Sequence, residues 1–248
     1  MNPITALARL LATLHDTEGR IAVVGLCDAV EPLRDWERSA WAGLPLNDAR
    51  LLEITGSPAL IGEPGYSAVE RMWARPTIEI NGIGGGYQGE GTKTVIPHSA
   101  FAKLTFRLVP RQSAVEAIRL VGEHLRANAP RGVNVEIIEG HHGDPYVTDP
   151  HSGYGKAAQR ALAATFGREP ALIREGGSIP IVQSFKEILG VDTLLLGLAL
   201  PDCRAHSPNE NFPVANFEAG IRLNQALLRE IGGPGLPIEN RKSKIENS

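Results

Sequence analysis

The residues best placed for chemistry lie near the C-terminal end, in the run Arg204-Ala-His206-Ser-Pro-Asn-Glu210. A strongly apolar run at 193–200 comes just before it and predicts a buried parallel strand. Ligands of open α/β sheets bind at the carboxyl ends of strands, so His206 is placed to act as a metal ligand or a base. A structural interpretation stays open, because Ser207 and Glu210 also have the spacing of a helix capping box.

A second run, Arg174-Glu-Gly-Gly-Ser178-Ile-Pro180, has the pattern of a strand, a glycine turn and the start of a helix. Free backbone N–H groups at a helix start attract a carboxylate or an oxyanion, and the Ser178 hydroxyl adds a donor. Ser178 could equally be an ordinary helix cap. The G-x-S-x-G pattern of a nucleophile elbow is absent here, so we do not interpret Ser178 as a nucleophile.

A third candidate, Arg107, lies on a predicted strand that alternates polar and apolar residues. Its guanidinium falls on the polar face, where it could bind a carboxylate, although most strand arginines are simply solvated. The glycines between Asn81 and Tyr87 join two strands rather than a strand and a helix. A dinucleotide-binding loop is therefore not favoured.

Apolar periodicity predicts the elements that position these residues. The first part is expected to be an α+β layer, with helices at 3–14 and 113–127 and strands at 21–24, 77–83, 95–109 and 133–138. Residues 36–66 are predicted to form short helices that resemble an insertion. After a turn-rich boundary at 141–150 the pattern is that of an α/β domain, with strands at 171–173 and 193–200 and helices at 153–166, after Ser178 and from a cap at Asn216 to about 231.

The boundary segment also holds His141, His142, Asp144 and Asp149, which invite comparison with a metal site. Adjacent loop histidines point in different directions, so we interpret these residues as a solvated hinge. The polar tail, 236–248, is predicted to be disordered.

Composition narrows the class of partner. The 248 residues carry a formal charge of −3 and no long basic block, which argues against nucleic acid or an anionic membrane as partner. No run is long enough to span a membrane and no signal peptide is evident, so we expect a cytoplasmic protein. With only two cysteines, any metal would need histidine and carboxylate ligands.

Taken in order, five motifs resemble the M20 family of metallopeptidases, especially its carnosinase-like dipeptidases, and more broadly amidohydrolases of the acetylornithine deacetylase type. The resemblance covers about residues 2–232. The motifs are Asn2-Pro3, Lys93-Thr94-Val-Ile-Pro97, Phe106-Arg107-Leu-Val-Pro110, Arg174-Glu-Gly-Gly-Ser178-Ile-Pro180 and Ala205-His206-Ser-Pro-Asn-Glu210.

The resemblance implies a two-part fold of α/β and α+β character. Residues 1–148 would form a ferredoxin-like lid, or dimerisation, domain that lacks its first strand. Residues 149–235 would form the C-terminal part of the α/β zinc-peptidase domain. Homodimerisation through the lid is implied as well.

The resemblance also implies roles for four residues. His206 resembles the last metal ligand, Arg107 and Ser178 the pair that holds the substrate's C-terminal carboxylate, and Thr94 a lid residue that reaches the neighbouring subunit's site. The implied reaction is hydrolysis of a dipeptide or an N-acyl amino acid at two zinc ions, with manganese or cobalt as possible substitutes.

Most of the metal site is expected to be missing from this chain, including the family's H-x-D element and its Glu-Glu pair, whose first member is the general base. One histidine cannot hold two metal ions. We therefore expect no stable zinc binding and no catalysis by this chain alone. Two alternatives stay open: a dimerisation or binding module, and the C-terminal half of a split enzyme.

Overall fold

A computed structural model describes residues 1–175 and 179–233. The chain divides into two compact units. The first consists of Met1–Val147 and Ile173–Val191, and the second of Thr148–Leu172 and the chain from Asp192 onward. Within the described ranges, no helix is long and apolar enough to cross a membrane.

The first unit contains six α-helices and a two-stranded sheet among its described residues. Its elements are α1 (Pro3–Leu11, continued by a 3-10 turn at Ala12–Leu14), α2 (Asp35–Ala42), α3 (Asp48–Thr55), α4 (Ala68–Ala74), β1 (Thr77–Gly85), β2 (Ala100–Arg107), α5 (Ala114–Ala127) and α7 (Pro180–Ser184, continued by a π-helical turn at Phe185–Leu189). The second unit contains α6 (Gly153–Phe166) and α8 (Val214–Gly232).

The main core of the first unit lies between the sheet and helices α1 and α5. Helix α1 begins where sequence predicts, since the Asn2 side chain accepts the N–H of Ile4 at 2.9 Å and Pro3 occupies the first turn. Its apolar face packs with α5 and with the inner face of β2. The buried residues of this core are Leu10, Leu11, Leu14, Val23, Leu26, Ile78, Ala117, Val121 and Leu125.

Strands β1 and β2 form an antiparallel hairpin whose register runs from Thr77 opposite Arg107 to Gly85 opposite Ala100. A bulge at Asn81 interrupts this register between Ile80 and Gly82. Burial along β2 alternates residue by residue, as predicted. The outer face of β2 is therefore exposed.

A second, smaller core joins the segment 36–66, which sequence analysis took for an insertion, to helix α4. Trp41 of α2 and Trp73 of α4 meet edge to face, with ring centroids 5.2 Å apart. The other buried members are Leu51, Ala68, Val69 and Ala74. The insertion-like segment is therefore packed against α4.

In the second unit, α6 and α8 pack through small residues. Ala157, Ala158 and Ala161 of α6 are buried, as is Gly220 of α8. A Cβ on Gly220 would lie 2.8 Å from the Leu198 side chain, so glycine at this position allows Leu198 to pack closely against α8.

Apart from one isolated bridge between His15 and Ile21, four predicted strands form no ladder with other described residues: 21–24, 133–138, 171–173 and 193–200. At 133–138 burial still alternates, with Val135 and Ile137 packed on the main core. Period-2 hydrophobicity reports which side of a segment is buried, whereas a strand also needs a neighbour for its backbone hydrogen bonds. β2 likewise begins at Ala100 rather than 95, and the segment before it is exposed.

The predicted cap of the last helix was also wrong. Helix α8 begins at Val214, and the Asn216 amide instead donates to the Leu198 carbonyl at 2.7 Å. The two-domain division at 148 stays a prediction: the first unit ends nearby, at Val147, but Ile173–Val191 groups with it. The tail predicted to be disordered lies outside the described residues.

Candidate functional site

Arg107 is the last residue of β2, on the exposed outer face of the hairpin, directly opposite Thr77. Its guanidinium makes no hydrogen bond or ion pair with any residue in the described part of the chain. A free, exposed guanidinium keeps all five N–H donors available for an anion. The carboxylate-binding role implied by the resemblance stays a prediction.

The outer face next to Arg107 is polar, and the exposed Phe101 lies at its other end. Thr105 donates a hydrogen bond from its hydroxyl to Asn81 Oδ1 at 2.6 Å, and Lys103, two residues before Thr105, is exposed. The bulge at Asn81 supplies this partner for Thr105, and bulges also increase local strand twist. The Asn81–Thr105 bond therefore ties the two strands together next to Arg107.

Thr94 lies in the exposed connection between β1 and β2. Part of this connection is held locally, because the Tyr87 hydroxyl donates to the Glu90 carbonyl at 3.0 Å and the Lys93 ammonium lies 5.6 Å from the Tyr87 ring centroid. Tyr87 and Lys93, but not Thr94, are among the residues that line an open cavity of about 600 Å³. Strand β2 separates this loop from Arg107, and its seven residue steps span roughly 23 Å.

His206, in the second unit, occupies a tightly turned loop between 200 and 211. Arg204, His206 and Asn209 all have positive φ, at 57°, 61° and 63°. The loop is closed by the Asn211 N–H, which donates to the Cys203 carbonyl at 2.9 Å. Non-glycine residues in this conformation are uncommon and cluster at functional sites.

The capping-box interpretation of this loop is wrong. No helix begins at Ser207 or Pro208, and Glu210 Oε2 instead accepts the backbone N–H of His206 at 3.4 Å. The imidazole of His206 is exposed and makes no hydrogen bond to the described residues. Its ring nitrogens are therefore available to a ligand.

The described residues do not fit a metal site. Nowhere in 1–175 and 179–233 do three or more histidine, cysteine, aspartate or glutamate side chains come together to hold an ion. His206 is thus an isolated candidate ligand. A zinc site needs three or four protein ligands, so this part of the chain does not build one.

The expectation that an H-x-D element is missing needs correction, because His142-Gly143-Asp144 has this spacing. Its aspartate has a structural partner: Asp144 Oδ1 accepts the N–H of Ala114 at 2.7 Å, at the start of α5. Ser113, the residue at the helix cap, makes no such bond through its own side chain. Asp144 therefore caps a helix, and in the described residues this segment forms no group of three metal-ligating side chains.

Ser178 lies outside the described residues, but the motif that contains it begins at Arg174, which is described. Arg174 donates from Nε and Nη2 to Glu37 Oε1, at 2.8 and 2.7 Å. Sequence reasoning missed Glu37 because a glutamate in a short polar helix is normally solvated. The available signal was the spacing between Glu37 and Trp41, because residues four apart lie on the same face of a helix.

Comparison with known proteins places these features in a family. The M20 peptidase dimerisation domain matches residues 1–133. The Cys-Gly metallodipeptidase DUG1 of Saccharomyces cerevisiae is 32% identical over 232 residues, which cover 92% of this chain and 48% of the relative. Human Beta-Ala-His dipeptidase is 30% identical, over 92% of this chain and 46% of the relative. The chain therefore spans about half the length of the curated relatives it matches.

Solved structures agree with this assignment. The dipeptidase Dug1p from Saccharomyces cerevisiae superposes with a TM-score of 0.81 at 31% identity, over 94% of this chain and 50% of that one. Human carnosine dipeptidase 1 gives 0.79 at 29% identity, over 93% and 50%. The expected fold class, a lid domain with part of a peptidase domain, is confirmed by these neighbours. With its first 133 residues matched by the dimerisation domain, the chain belongs to the M20 peptidase family.

Proposed function

We propose that this chain binds the C-terminal carboxylate of a dipeptide or N-acyl amino acid, as part of a protein that hydrolyses such substrates with the help of metal ions. The observation that carries the proposal is the unpaired, exposed guanidinium of Arg107 at the end of β2. A guanidinium can donate two parallel N–H bonds to one carboxylate, which fixes the orientation as well as the charge of the substrate.

The substrate class rests on the relatives. Two of them are named for the dipeptides Cys-Gly and Beta-Ala-His. Every dipeptide has a free C-terminal carboxylate, so Arg107 recognises what these substrates share rather than their side chains. Ser178 is proposed to add a hydroxyl donor to the same carboxylate, as the family resemblance implies.

Thr94 is proposed to serve the site of a neighbouring subunit. β2 alone spans roughly 23 Å, whereas an extended dipeptide reaches at most about 7 Å. Thr94 lies in the exposed loop before β2, and Arg107 lies at the other end of the strand. With Thr94 in that loop, one dipeptide cannot contact both residues of the same chain. The match to a dimerisation domain supports a homodimer in which one subunit's loop approaches the other subunit's substrate.

His206 is proposed as one ligand of a metal centre, for which zinc is the first candidate and manganese or cobalt the alternatives. The described residues do not complete such a centre, and we derive no hydrolytic step through it. We therefore expect the chain alone to bind a dipeptide without hydrolysing it. A cytoplasmic location is a further proposal.

The test is binding of β-alanyl-histidine measured by titration calorimetry. Hydrogen bonds to charged groups contribute roughly 1.5–3 kcal/mol, and the exposure of Arg107 favours the lower end. Arg107→Ala should therefore weaken binding about tenfold. Lys103→Ala is the matched control, because Lys103 is a cation exposed on the same face of the same strand.

A second ligand tests how much of the binding depends on the substrate's carboxylate. The C-terminal amide of the same dipeptide should bind the wild-type chain weakly, with a Kd that Arg107→Ala leaves unchanged. Equal losses in the Arg107 and Lys103 variants would show only general electrostatic attraction and would refute the carboxylate-binding role.

A second candidate function, a dimerisation module without substrate binding, is favoured by the extent of the family match, which covers residues 1–133. It predicts self-association with no detectable binding of either ligand. The same titration therefore separates the two functions.

A further inference from the structure

Glu79 of β1 is an exposed carboxylate that none of the five family motifs contains. Its neighbour Ile78 is buried in the main core, so Glu79 lies on the outer face of the hairpin. In the strand register, Thr77 stands opposite Arg107 and Glu79 stands opposite Thr105. Glu79 is therefore the diagonal neighbour of Arg107 on one face of the sheet.

The carboxylate of Glu79 has no hydrogen bond or ion pair with any other residue that the structure describes. Thr105, directly opposite, donates its hydroxyl hydrogen to Asn81 Oδ1 at 2.6 Å instead. The aliphatic stem of Lys103 passes over Gly82, where an added Cβ would lie 3.6–3.7 Å from its carbons. Both oxygens of Glu79 are therefore available to a positively charged ligand group.

The spacing of Glu79 and Arg107 matches the length of a dipeptide. Diagonal neighbours in an antiparallel pair have Cβ atoms roughly 7 Å apart. An extended dipeptide also reaches about 7 Å from end to end. A dipeptide that lies across the two strands, with its carboxylate on Arg107, therefore brings its ammonium group within reach of Glu79. The two side chains are complementary to the two charges of such a ligand.

A structural role for Glu79 would be a cross-strand ion pair with Arg107, but the structure contains no such pair. Exposed pairs between two long side chains contribute little, because holding both in one geometry costs conformational entropy. The two roles also make opposite predictions. If Glu79 held Arg107, removing its charge would free the guanidinium and strengthen carboxylate binding. If Glu79 binds an ammonium group, removing its charge weakens dipeptide binding.

We propose that Glu79 binds the free ammonium group of a dipeptide whose carboxylate is held by Arg107. The chain then selects dipeptides over N-acyl amino acids, because acylation replaces the ammonium charge with a neutral amide. This inference rests on the proposed carboxylate-binding function and narrows its substrate class. It assigns Glu79 the role of a specificity-determining residue.

The test is titration calorimetry of the full chain at neutral pH with two ligands, β-alanyl-histidine and N-acetyl-β-alanyl-histidine. Both ligands keep the carboxylate, and only the first has an ammonium group. The wild type should bind the acetylated ligand about fivefold more weakly, as expected for loss of one exposed ion pair. Glu79→Gln should bind β-alanyl-histidine about fivefold more weakly than the wild type does, with an unchanged Kd for the acetylated ligand.

Two further variants serve as controls. Glu136→Gln removes the same charge from an exposed glutamate in the segment 133–138 of the same compact unit, and should keep the preference for the free ammonium group. Glu79→Asp retains a carboxylate at the site and should keep most of that preference. All three substitutions are at exposed positions, so the far-UV spectrum should match that of the wild type.

The outcomes separate this inference from the proposed function. If Arg107→Ala weakens binding of β-alanyl-histidine while Glu79→Gln leaves it unchanged or strengthens it, the ammonium-binding role is overturned and carboxylate binding stands. Equal losses for both ligands in Glu79→Gln, or an equal loss of preference in Glu136→Gln, would show general electrostatics and also overturn it. Absence of carboxylate-dependent binding by the wild-type chain overturns the proposed function and this inference together.

Discussion

Replacing Asp144 tests whether the only H-x-D spacing in this sequence is structural or metal-binding. In the structure, Asp144 Oδ1 accepts the Ala114 N–H at 2.7 Å, and the residue at the helix cap, Ser113, makes no capping bond through its side chain. Asp144 thus supplies the cap of α5 from 30 residues away in sequence. Helix α5 in turn contributes Ala117, Val121 and Leu125 to the main core.

The magnitude follows from these contacts. Loss of a capping acceptor costs about 1 kcal/mol, and loss of a negative charge at a helix N-terminus a further 0.3–1 kcal/mol or so. Asp144→Ala should therefore lower the free energy of unfolding by about 1–2 kcal/mol. Asp144→Asn, which keeps an acceptor oxygen, should lose only about the electrostatic part.

The assay is urea and thermal unfolding followed by circular dichroism, with and without added zinc. For a chain of this size the loss corresponds to a Tm lower by about 2–8 °C. His142→Ala should change stability by no more than about 0.5 kcal/mol, because His142 is exposed and its Nδ1 lies 3.5 Å from the Gly140 carbonyl. If zinc stabilised the wild type but neither the Asp144 nor the His142 variant, the capping explanation would be refuted in favour of a metal site.

Two further predictions concern packing and assembly. Val23 is 4% exposed and its neighbour Val24 is 87% exposed. Val23→Ala should therefore lower the free energy of unfolding by about 1.5–3 kcal/mol, and Val24→Ala by no more than about 0.5 kcal/mol. Equal shifts in the urea midpoint of the two variants would contradict the assignment of the main core. Light scattering of the purified chain should give twice the 26.6 kDa mass of one chain, and a monomer at micromolar concentration would count against dimerisation through the matched domain.

Helices were predictable from sequence because their signals are local. The Asn2-Pro3 start of α1, the apolar stripe of α5 and the extent of α6 each depend on residues within a few turns of one another. Strands were less predictable, because a strand needs a neighbouring strand to pair with, and the alternation of apolar residues does not identify that neighbour. Thus 133–138 shows the expected alternation of burial without the expected pairing.

The candidate site divides in the same way. The order of the motifs identified the family, and the alternation along β2 correctly placed Arg107 on the exposed face. The conformation of the His206 loop was not predictable. Three non-glycine residues of this loop have positive φ, and the loop is closed by the hydrogen bond between Asn211 and Cys203.

The sequence by itself determined the helical segments, the polar face of β2 and membership of the M20 family, since each depends on local periodicity or on short ordered motifs. Only the tertiary structure decided that Glu37 pairs with Arg174 and that Asp144 caps α5. The physical reason is that buried charges and free helix ends must find partners, and many residues in the sequence could satisfy them. Which one does so depends on what the folded chain brings within about 3 Å.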